Sequence, residues 1–415
     1  MRISTSYFMQ RGLDSILEQQ KRLADIQEQI ASGNRLNRPS DDPSASAQIL
    51  RLEQAIATNE QYQRNADMAI NRLTLEESTL KSAQDTLLRI REIAIQGNNS
   101  TMSDTDRNAL AQEVDERLKE LVGLANTRDA NQEYLFAGYM VNTKPFSLAA
   151  DGSYVYSGDN GQRGVQISTG RQILDSDAGN EVFMNLRNGN GTFQVNPAIG
   201  NTGASIIDVG QVLDRDSYNA TLQNYTISFV TNSSGNIAYN VIGNVDGQII
   251  PSPPQNAIND APDYVIDAAI SFNGIQTAIS GTPVAGDVYT VSPSDNQDVF
   301  STIQKLITAL QLPTEDSNVN ESEALNLMNQ SLSELDIAFD KFTRVRTSVG
   351  ARLNTTDAQV SVNEAYQIEL TATLSGVRDL DITAAAVELQ SRLIALEAAQ
   401  TSYTRIQSLS LFEFL

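Results

Sequence analysis

Apolar residues recur at helical spacing near the beginning of the chain. Between residues 13 and 30, and again between 49 and 94, they occupy most of the first and fourth positions of a seven-residue frame, with Gln at positions 20 and 27 of the first. Nine of the fourteen positions in the second frame are apolar, and no proline interrupts it. We therefore expect two helices joined near residues 30–44, the second one long, and a third helix over about 104–130 that begins at "SDTD".

The C-terminal part has the same pattern. Ten of the fourteen frame positions between 328 and 374 are apolar, and a last helix over 383–408 has a stripe of its own. The stripe consists of Ala386, Leu389, Leu393, Leu396 and Tyr403. A single helix cannot bury such a stripe, so we expect the N- and C-terminal helices to pack together as a coiled-coil-like bundle.

The middle of the chain has the two-residue alternation of short strands. Segments such as "YTISFVT" and "DVYTVS" are bounded by Gly, Pro, Asn and Asp turns. The expected fold class is α+β: long N- and C-terminal helices packed as a bundle, with an inserted β-rich middle of two small subdomains. The expected division is 1–40, an assembly segment disordered in the monomer; 41–146, N-terminal helices; 147–219, first β subdomain and irregular linker; 220–300, second β subdomain; 301–375, C-terminal long helix; and 376–415, C-terminal assembly segment.

Composition excludes several kinds of chemistry. The 415 residues include no Cys and no His, which removes Cys/His zinc sites, imidazole general bases and disulfides. The net charge of −22 is unfavourable for binding nucleic acid. The first twenty residues do not contain the apolar run of a cleavable secretory signal, and no stretch approaches a transmembrane length. We expect no cofactor, no metal and no membrane insertion.

The join at residues 30–44 contains adjacent aspartates that raise the question of a catalytic pair or a metal site. A capping role explains the local pattern better. Gly33 suits the left-handed position after a helix, Asp42 is a favourable N-cap, and Pro43 is a favourable first helical residue. No third ligand or base is evident nearby, and capping does not exclude a further role at a subunit contact.

Other local motifs favour simple explanations. The Gly189/Gly191 pair is not followed by a helical pattern and indicates a turn rather than a phosphate loop. The "NST" triplet at 99–101 is a glycosylation sequon of a kind that arises by chance, and the acidic middle lacks EF-hand spacing. The two chain ends carry apolar residues outside any complete stripe, so we expect them to order against neighbouring subunits. At the C-terminus these are Leu411, Phe412, Phe414 and Leu415.

Several longer passages resemble a known family. "IASGNRLNRPSDDPSASAQI", "LLRIREIAIQGNNSTMSDTDRNALAQEV" and the terminal "SLSLFEFL" are similar to the flagellin superfamily. "LANTRDANQEYLFAGYMVNTKPF" and "YSGDNGQRGVQIS" resemble, more narrowly, its branch at the flagellar hook–filament junction. The resemblance covers nearly the whole chain, and residues 196–219 resemble the family least.

The resemblance implies a non-enzymatic structural subunit of the bacterial flagellum. It implies export by the flagellar type III system to the cell exterior, with an export chaperone on about 360–415. It further implies an adaptor between hook-associated protein 1 and flagellin, arranged with copies of itself in a ring-like junction layer. In flagellin, the stretch similar to "LLRIREIAIQ" is buried in the filament, which implies an assembly face at Arg89, Ile93 and Gln96.

A further part of the assembly interface is expected on the last helix, at Leu389, Leu393 and Leu396, and at the terminal residues named above. Two alternatives remain at this point. The chain could be flagellin itself, which would form long filaments rather than a junction. A carboxylate-based hydrolase in the β-rich middle is the alternative from another class, and turnover of glycan substrates would reveal it.

Overall fold

The computed structural model describes residues 5–99, 101–315 and 317–408. Seven α-helices are present in this part of the chain: α1 (Thr5–Ser32), α2 (Pro43–Gly97), α3 (Asp104–Ala125), α4 (Arg215–Ala220), α5 (Val299–Gln311), α6 (Asn318–Arg378) and α7 (Ile382–Ser408). A single π-helical turn lies at Asn180–Met184. None of the helices in the described ranges combines the length and apolar character needed to cross a membrane.

Fifteen strands lie between α3 and α5 in the described ranges. They are β1 (Phe146–Leu148), β2 (Tyr154–Tyr156), β3 (Gly164–Ser168), β4 (Arg171–Leu174), β5 (Leu186–Arg187), β6 (Phe193–Pro197), β7 (Ala204–Ile207), β8 (Gln211–Val212), β9 (Tyr225–Thr231), β10 (Ile237–Gly243), β11 (Gly247–Ile250), β12 (Ala269–Phe272), β13 (Ile275–Thr282), β14 (Val288–Pro293) and β15 (Asn296–Gln297).

The chain forms two compact units. The first, which we call the terminal unit, consists of Met1–Ala66, Gln166–Arg171 and Ala358–Leu415. The second, the central unit, consists of Asp67–Val165 and Gln172–Asp357. Helices α2 and α6 each contribute residues to both units.

In the central unit, α3 and α5 pack together with the central-unit parts of α2 and α6 around a continuous apolar core. Leu73, Leu80 and Ile90 of α2 are completely buried there. Aromatic rings extend this core, and Phe136 meets Phe183 edge to face at 5.2 Å between ring centroids. Such pairs add to the gain from apolar burial, so these rings stabilise the core beyond the area that they bury.

The β-rich middle forms several small antiparallel sheets. The largest has the strand order β11-β10-β9-β14-β6, and another has the order β12-β13-β7 with β8 also paired to β13. A second apolar cluster lies among these strands and includes Phe229, Tyr289 and Ile279. The strands β9 and β14 pair with Tyr289 opposite Ile227, and every second residue of β9 from Tyr225 to Phe229 is buried, in keeping with the two-residue alternation.

Polar side chains of α6 hold the edges of these sheets within the central unit. Asn326 accepts a 2.9 Å hydrogen bond from the Ile207 N–H and donates to the Ser205 carbonyl. One turn later, Gln330 donates to the Val195 carbonyl. Glu334 then accepts from the Gly189 N–H at 3.2 Å. Residues four apart lie on one helix face, so a single polar row on α6 satisfies the sheet edges.

In the terminal unit, α1 packs along α7, and α2 meets α6 through a buried amide network. Asn59 of α2 donates to the Asn363 carbonyl at 2.8 Å and to Gln367 Oε1 at 2.9 Å. Asn363 in turn donates to the carbonyl of Ile167, a completely buried residue of the 166–171 segment. Asn59 is a polar residue at a heptad position that is usually apolar, and its hydrogen bonds to α6 make it part of the helix packing.

The expected α+β fold class is confirmed, with terminal helices packed together and a β-rich middle inserted between them. The strands expected from alternation are present. Residues 196–219 are more regular than expected, because β7, β8 and α4 lie there. The third helix ends at Ala125 and not near residue 130. Its last turn is capped by Asn126, whose backbone N–H faces the carbonyls of Val122, Gly123 and Leu124. The structure forms α1 within residues 1–40; disorder of that segment in the free monomer, and the six-part division, stay predictions.

Candidate assembly surface

The loops that join the terminal helices pair with each other. We call residues 33–42 the first join and residues 379–381 the second join. Asn34 and Asp379 form an antiparallel β-bridge. The Leu380 N–H donates to the Gly33 carbonyl at 2.9 Å, and the Arg35 N–H donates to the Arg378 carbonyl at 2.8 Å. The turn between α1 and α2 is thus hydrogen-bonded to the turn between α6 and α7.

Gly33, Asp42 and Pro43 occupy the ends of the first join. Gly33 follows the last residue of α1 and has a φ of +72°, a conformation that glycine adopts without strain. Pro43 is the first residue of α2, and the Asp42 carboxylate accepts hydrogen bonds from the N–H groups of Ser44 (3.1 Å) and Ala45 (3.0 Å). Asp42 therefore satisfies backbone donors that begin the helix without partners.

The electrostatics of the join agree with this geometry. The Ala45 N–H and the Ser44 hydroxyl lower the pKa of the Asp42 carboxyl below its ordinary value of 3.8. Asp41 accepts instead from the Arg38 N–H at 3.1 Å. Each aspartate is thus engaged with nearby backbone. Across the described residues, no three acidic side chains come together as a set of metal ligands.

A single seam joins α1 and α7. Their more buried positions recur at alternating spacings of three and four residues, as in a coiled coil. Gly12 approaches Tyr403 so closely that a Cβ at residue 12 would lie 2.9 Å from the tyrosine ring. Because Gly33 meets Leu380 at the other end, the two helices are antiparallel. The positions in the seam are Gly12, Ile16, Gln19, Leu23, Ile26 and Ile30 on α1, and Ala385, Leu389, Arg392, Leu396, Ala399 and Tyr403 on α7.

Beside this seam lies an uncovered row of large apolar side chains. We call Leu13, Leu17 and Leu393 the apolar flank; between 46% and 53% of each residue's surface is exposed. Leu13, Leu17 and Leu393 each lie one residue after a seam position. In an antiparallel pair, positions displaced in the same sense from the seam on both helices lie on one side of the pair. The flank is therefore a shared face of α1 and α7.

The three leucines expected at the interface on α7 differ in their surroundings. Leu389 and Leu396 lie in the seam and are half-buried, whereas Leu393 is outside the seam and 46% exposed. The expected single stripe through all three leucines therefore divides between the seam and the apolar flank. The reason is that Arg392, and not Leu393, occupies the seam position on this turn of α7. The expected interface residues Leu411, Phe412, Phe414 and Leu415 lie outside the described residues.

The expected assembly face on α2 also divides. Arg89 and Gln96 are exposed, and Arg89 forms ion pairs with Glu113 of α3 (2.8 Å) and Glu92 (3.1 Å). Ile93 is completely buried in the apolar core of the central unit. Its side chain fills the monomer core, so of these three residues Arg89 and Gln96 are the two exposed on the helix surface. Whether they contact a neighbour stays a prediction.

Two features of the site lie outside the regular heptad pattern. Pairing of the joins depends on residues 378–380, whose only sequence signal is the short polar interval between two helical frames. The buried amide network had a signal in Asn59, a polar residue at an apolar frame position. Such an exception within a regular frame often marks a buried polar contact that fixes the alignment of two helices.

Comparison with known proteins agrees with these features. The family model of the bacterial flagellin N-terminal helical region matches residues 3–141. The crystal structure of flagellar hook associated protein-3 from Legionella pneumophila is 37% identical, with a TM-score of 0.76 over 79% of this chain and 98% of that one. Flagellar hook-associated protein 3 of Escherichia coli is 24% identical over 413 residues, 100% of this chain and 99% of that protein. Flagellin of Listeria monocytogenes is 28% identical over 131 residues, covering 32% and 46% of the two chains.

Paired terminal helices, an inserted β-rich middle and the matched N-terminal region define a flagellin-like structural protein of the bacterial flagellum. The match to flagellin is confined to about a third of the chain, whereas the match to the junction proteins extends over most or all of it. The chain belongs to the flagellar hook-associated protein 3 family, and the alternative that it is flagellin is not supported.

Proposed function

We propose that this chain is the adaptor subunit that joins the flagellar hook to the flagellin filament. One observation supports this role most strongly: the terminal helix pair is folded along a single seam and leaves the apolar flank in water. Exposed apolar rows on paired helices are unfavourable in a free subunit and favourable at a subunit contact. A structural subunit needs such a surface and needs no catalytic site, so we propose that the protein is not an enzyme.

The proposed neighbours are hook-associated protein 1 on the hook side, flagellin on the filament side, and copies of this chain within the junction layer. The apolar flank and the terminal residues 409–415 are the proposed contact segments. The β-rich middle is the part proposed to face solvent: residues 147–300 have 4 basic against 15 acidic residues, a balance that favours solubility. Type III export to the cell exterior, with a chaperone on about 360–415, completes the proposal.

A deletion strain examined by electron microscopy tests the proposed role. Loss of this chain should leave complete hooks without filaments, and filament protein should accumulate in the medium. Expression of the chain from a plasmid should restore filaments. Filaments of normal number and length in the deletion strain would show that another protein joins hook and filament.

The α2 surface provides a second, independent test of the interface. Replacement of Arg89 and Gln96 by Ala should reduce filament attachment while secretion remains normal, because both side chains are exposed and neither fills the core. Glu113→Ala is the matched control, since it removes the Arg89 ion pair without removing Arg89. Normal swimming by the Arg89/Gln96 variant would exclude this surface from the junction contact.

A further inference from the structure

Glu76 of α2 is a completely buried acidic residue in the central unit. Its Oε1 accepts a 3.0 Å hydrogen bond from the Asp177 N–H. Its Oε2 is buried and has no hydrogen-bond partner among the described residues. A bare carboxylate with one unpartnered oxygen is among the most costly groups to bury, whereas a neutral carboxyl group costs far less.

Arg352, the cation near Glu76, does not neutralise its carboxyl group. The Asp177 carboxylate forms an ion pair with Arg352 of α6 and accepts a 2.8 Å hydrogen bond from Gln162. Arg352 also donates to the Leu174 carbonyl at 3.3 Å. The single guanidinium close to the two carboxyl groups is therefore already engaged with Asp177, which leaves Glu76 beside a like charge.

The neighbouring charges reinforce this excess of acid. One turn before Glu76 on α2, Arg72 forms ion pairs with Asp129, Glu133 and Asp175. Arg163, just before β3, pairs with Asp175 at 2.6 Å and with Glu133 at 3.5 Å. Three arginines thus serve five carboxyl groups contributed by α2 and by the segments after α3 and β4. With all of them ionised, the cluster would have two uncompensated negative charges.

We propose that Glu76 is protonated in the folded subunit at neutral pH and that its carboxyl group is an alkaline-sensitive latch within the central unit. The proton comes from solvent during folding and is released again when the latch opens, so no other reactant is needed. The latch joins α2 to the Asp177 segment after β4 and, through Asp177, to Arg352 of α6. Burial, and next the Asp177 charge, raise the pKa of Glu76 well above its ordinary value of 4.5.

The direction of the pH effect depends on whether the folded or the unfolded chain binds the proton of Glu76 more tightly. Below pH 4.5 both the folded and the unfolded chain carry it, and the latch is fully closed. Above that value the unfolded chain releases the proton while the folded chain retains it. The folding equilibrium constant should therefore fall about tenfold per pH unit until the folded pKa is reached. The segment after β4 should loosen over the same interval.

Urea unfolding of the full chain at increasing pH tests the latch, with Glu76→Gln as the key variant. Gln has nearly the same shape and no titratable proton. The variant should therefore lose the tenfold change in the folding equilibrium constant per pH unit that is due to Glu76. It should also stabilise the chain increasingly as the pH rises above 4.5. Glu77→Gln is the matched control, because its carboxylate is one-third exposed and paired with Arg346. An identical pH dependence for wild type and Glu76→Gln would overturn the proposal.

A spectroscopic measurement keeps the test decisive if Glu76→Gln fails to fold. Infrared spectra of the wild-type chain at neutral pH should contain the carbonyl stretch of a buried neutral carboxylic acid, and the band should disappear at alkaline pH. Protection factors of the amides in 175–179, which are corrected for the intrinsic rise of exchange with pH, should fall over the same pH range. A spectrum without this band would show that Glu76 is ionised and would end the proposal.

Discussion

The backbone carbonyl of Gly33, in the first join, accepts a 2.9 Å hydrogen bond from the N–H of Leu380, in the second join. These residues are nearly 350 positions apart in the sequence, yet they form part of one antiparallel bridge in the terminal unit. The bridge fixes one end of the α1–α7 pair, and the Gly12–Tyr403 contact lies toward the other. The alignment of the two helices, and hence the position of the apolar flank, depends on both.

Removing the donor of this bond should weaken the bridge. Leu380→Pro lacks the N–H and should lower the free energy of unfolding of the terminal helix pair by about 1 kcal/mol, the usual net value of one hydrogen bond. Leu380→Ala retains the N–H and is the matched control. Hydrogen exchange of the Arg35 amide, the other donor of the bridge, should quicken in the proline variant alone. Equal exchange rates in both variants would show that the bridge is not a stabilising contact.

The cap at Asp42 should make the start of α2 sensitive to acid. Its folded pKa is lowered, so its contribution is present above the ordinary pKa of 3.8 and is lost as the pH falls through the folded value. Asp42→Ala should destabilise the helix start at neutral pH, and Asp42→Asn should do so much less, because Asn also caps well. Thermal unfolding followed by circular dichroism would measure this. A gap between wild type and Asp42→Ala that does not narrow in acid would contradict the carboxylate's role.

The seams were visible in the sequence because heptad spacing is a local property. The sequence does not determine the position of each seam to within one residue. Either residue 392 or residue 393 satisfies the heptad spacing, and only packing against α1 determines which of them lies in the seam. The resemblance to flagellin predicts Ile93 on an assembly face, although the side chain is buried in the core of the central unit. The sequence predicts the individual strands but not which strands pair. For example, β6 pairs with β14, although about ninety residues separate them in the chain. Long-range pairing of this kind leaves no pattern in a single sequence.

The ion pair between Lys305 and Glu334 should be more important to stability than a surface pair. Glu334 is almost completely buried and accepts from Lys305 Nζ at 2.8 Å, whereas 27% of the Lys305 side chain is exposed. Lys305→Met would leave the carboxylate without its cation and should cost about 2–3 kcal/mol, after allowance for the partial exposure of Lys305. Urea unfolding measures the loss. Adding Glu334→Gln, which removes the charge but keeps an acceptor for the Gly189 N–H, should recover part of it. A double variant less stable than Lys305→Met would contradict this explanation.

The seam and the apolar flank should respond differently to the same substitution. Leu396 lies in the seam, so Leu396→Asp should destabilise the α1–α7 pair by about 2 kcal/mol or more, because a charge replaces a half-buried leucine. Leu393 lies outside the seam, and Leu393→Asp should leave the thermal unfolding of the monomer almost unchanged. Circular dichroism of the two purified variants makes the comparison. Equal destabilisation would show that Leu393 belongs to the seam.

The most direct test of the assembly surface is a count of hooks bearing filaments in a strain whose only copy of this chain carries Leu17→Asp and Leu393→Asp. Ser15→Asp combined with Ser391→Asp adds the same two charges at exposed polar positions of α1 and α7 and is the control. If the apolar flank is a subunit contact, the double variant should be secreted at normal levels while most hooks lack filaments, and the control should resemble wild type. Normal numbers of filaments on cells with the double variant would contradict the account.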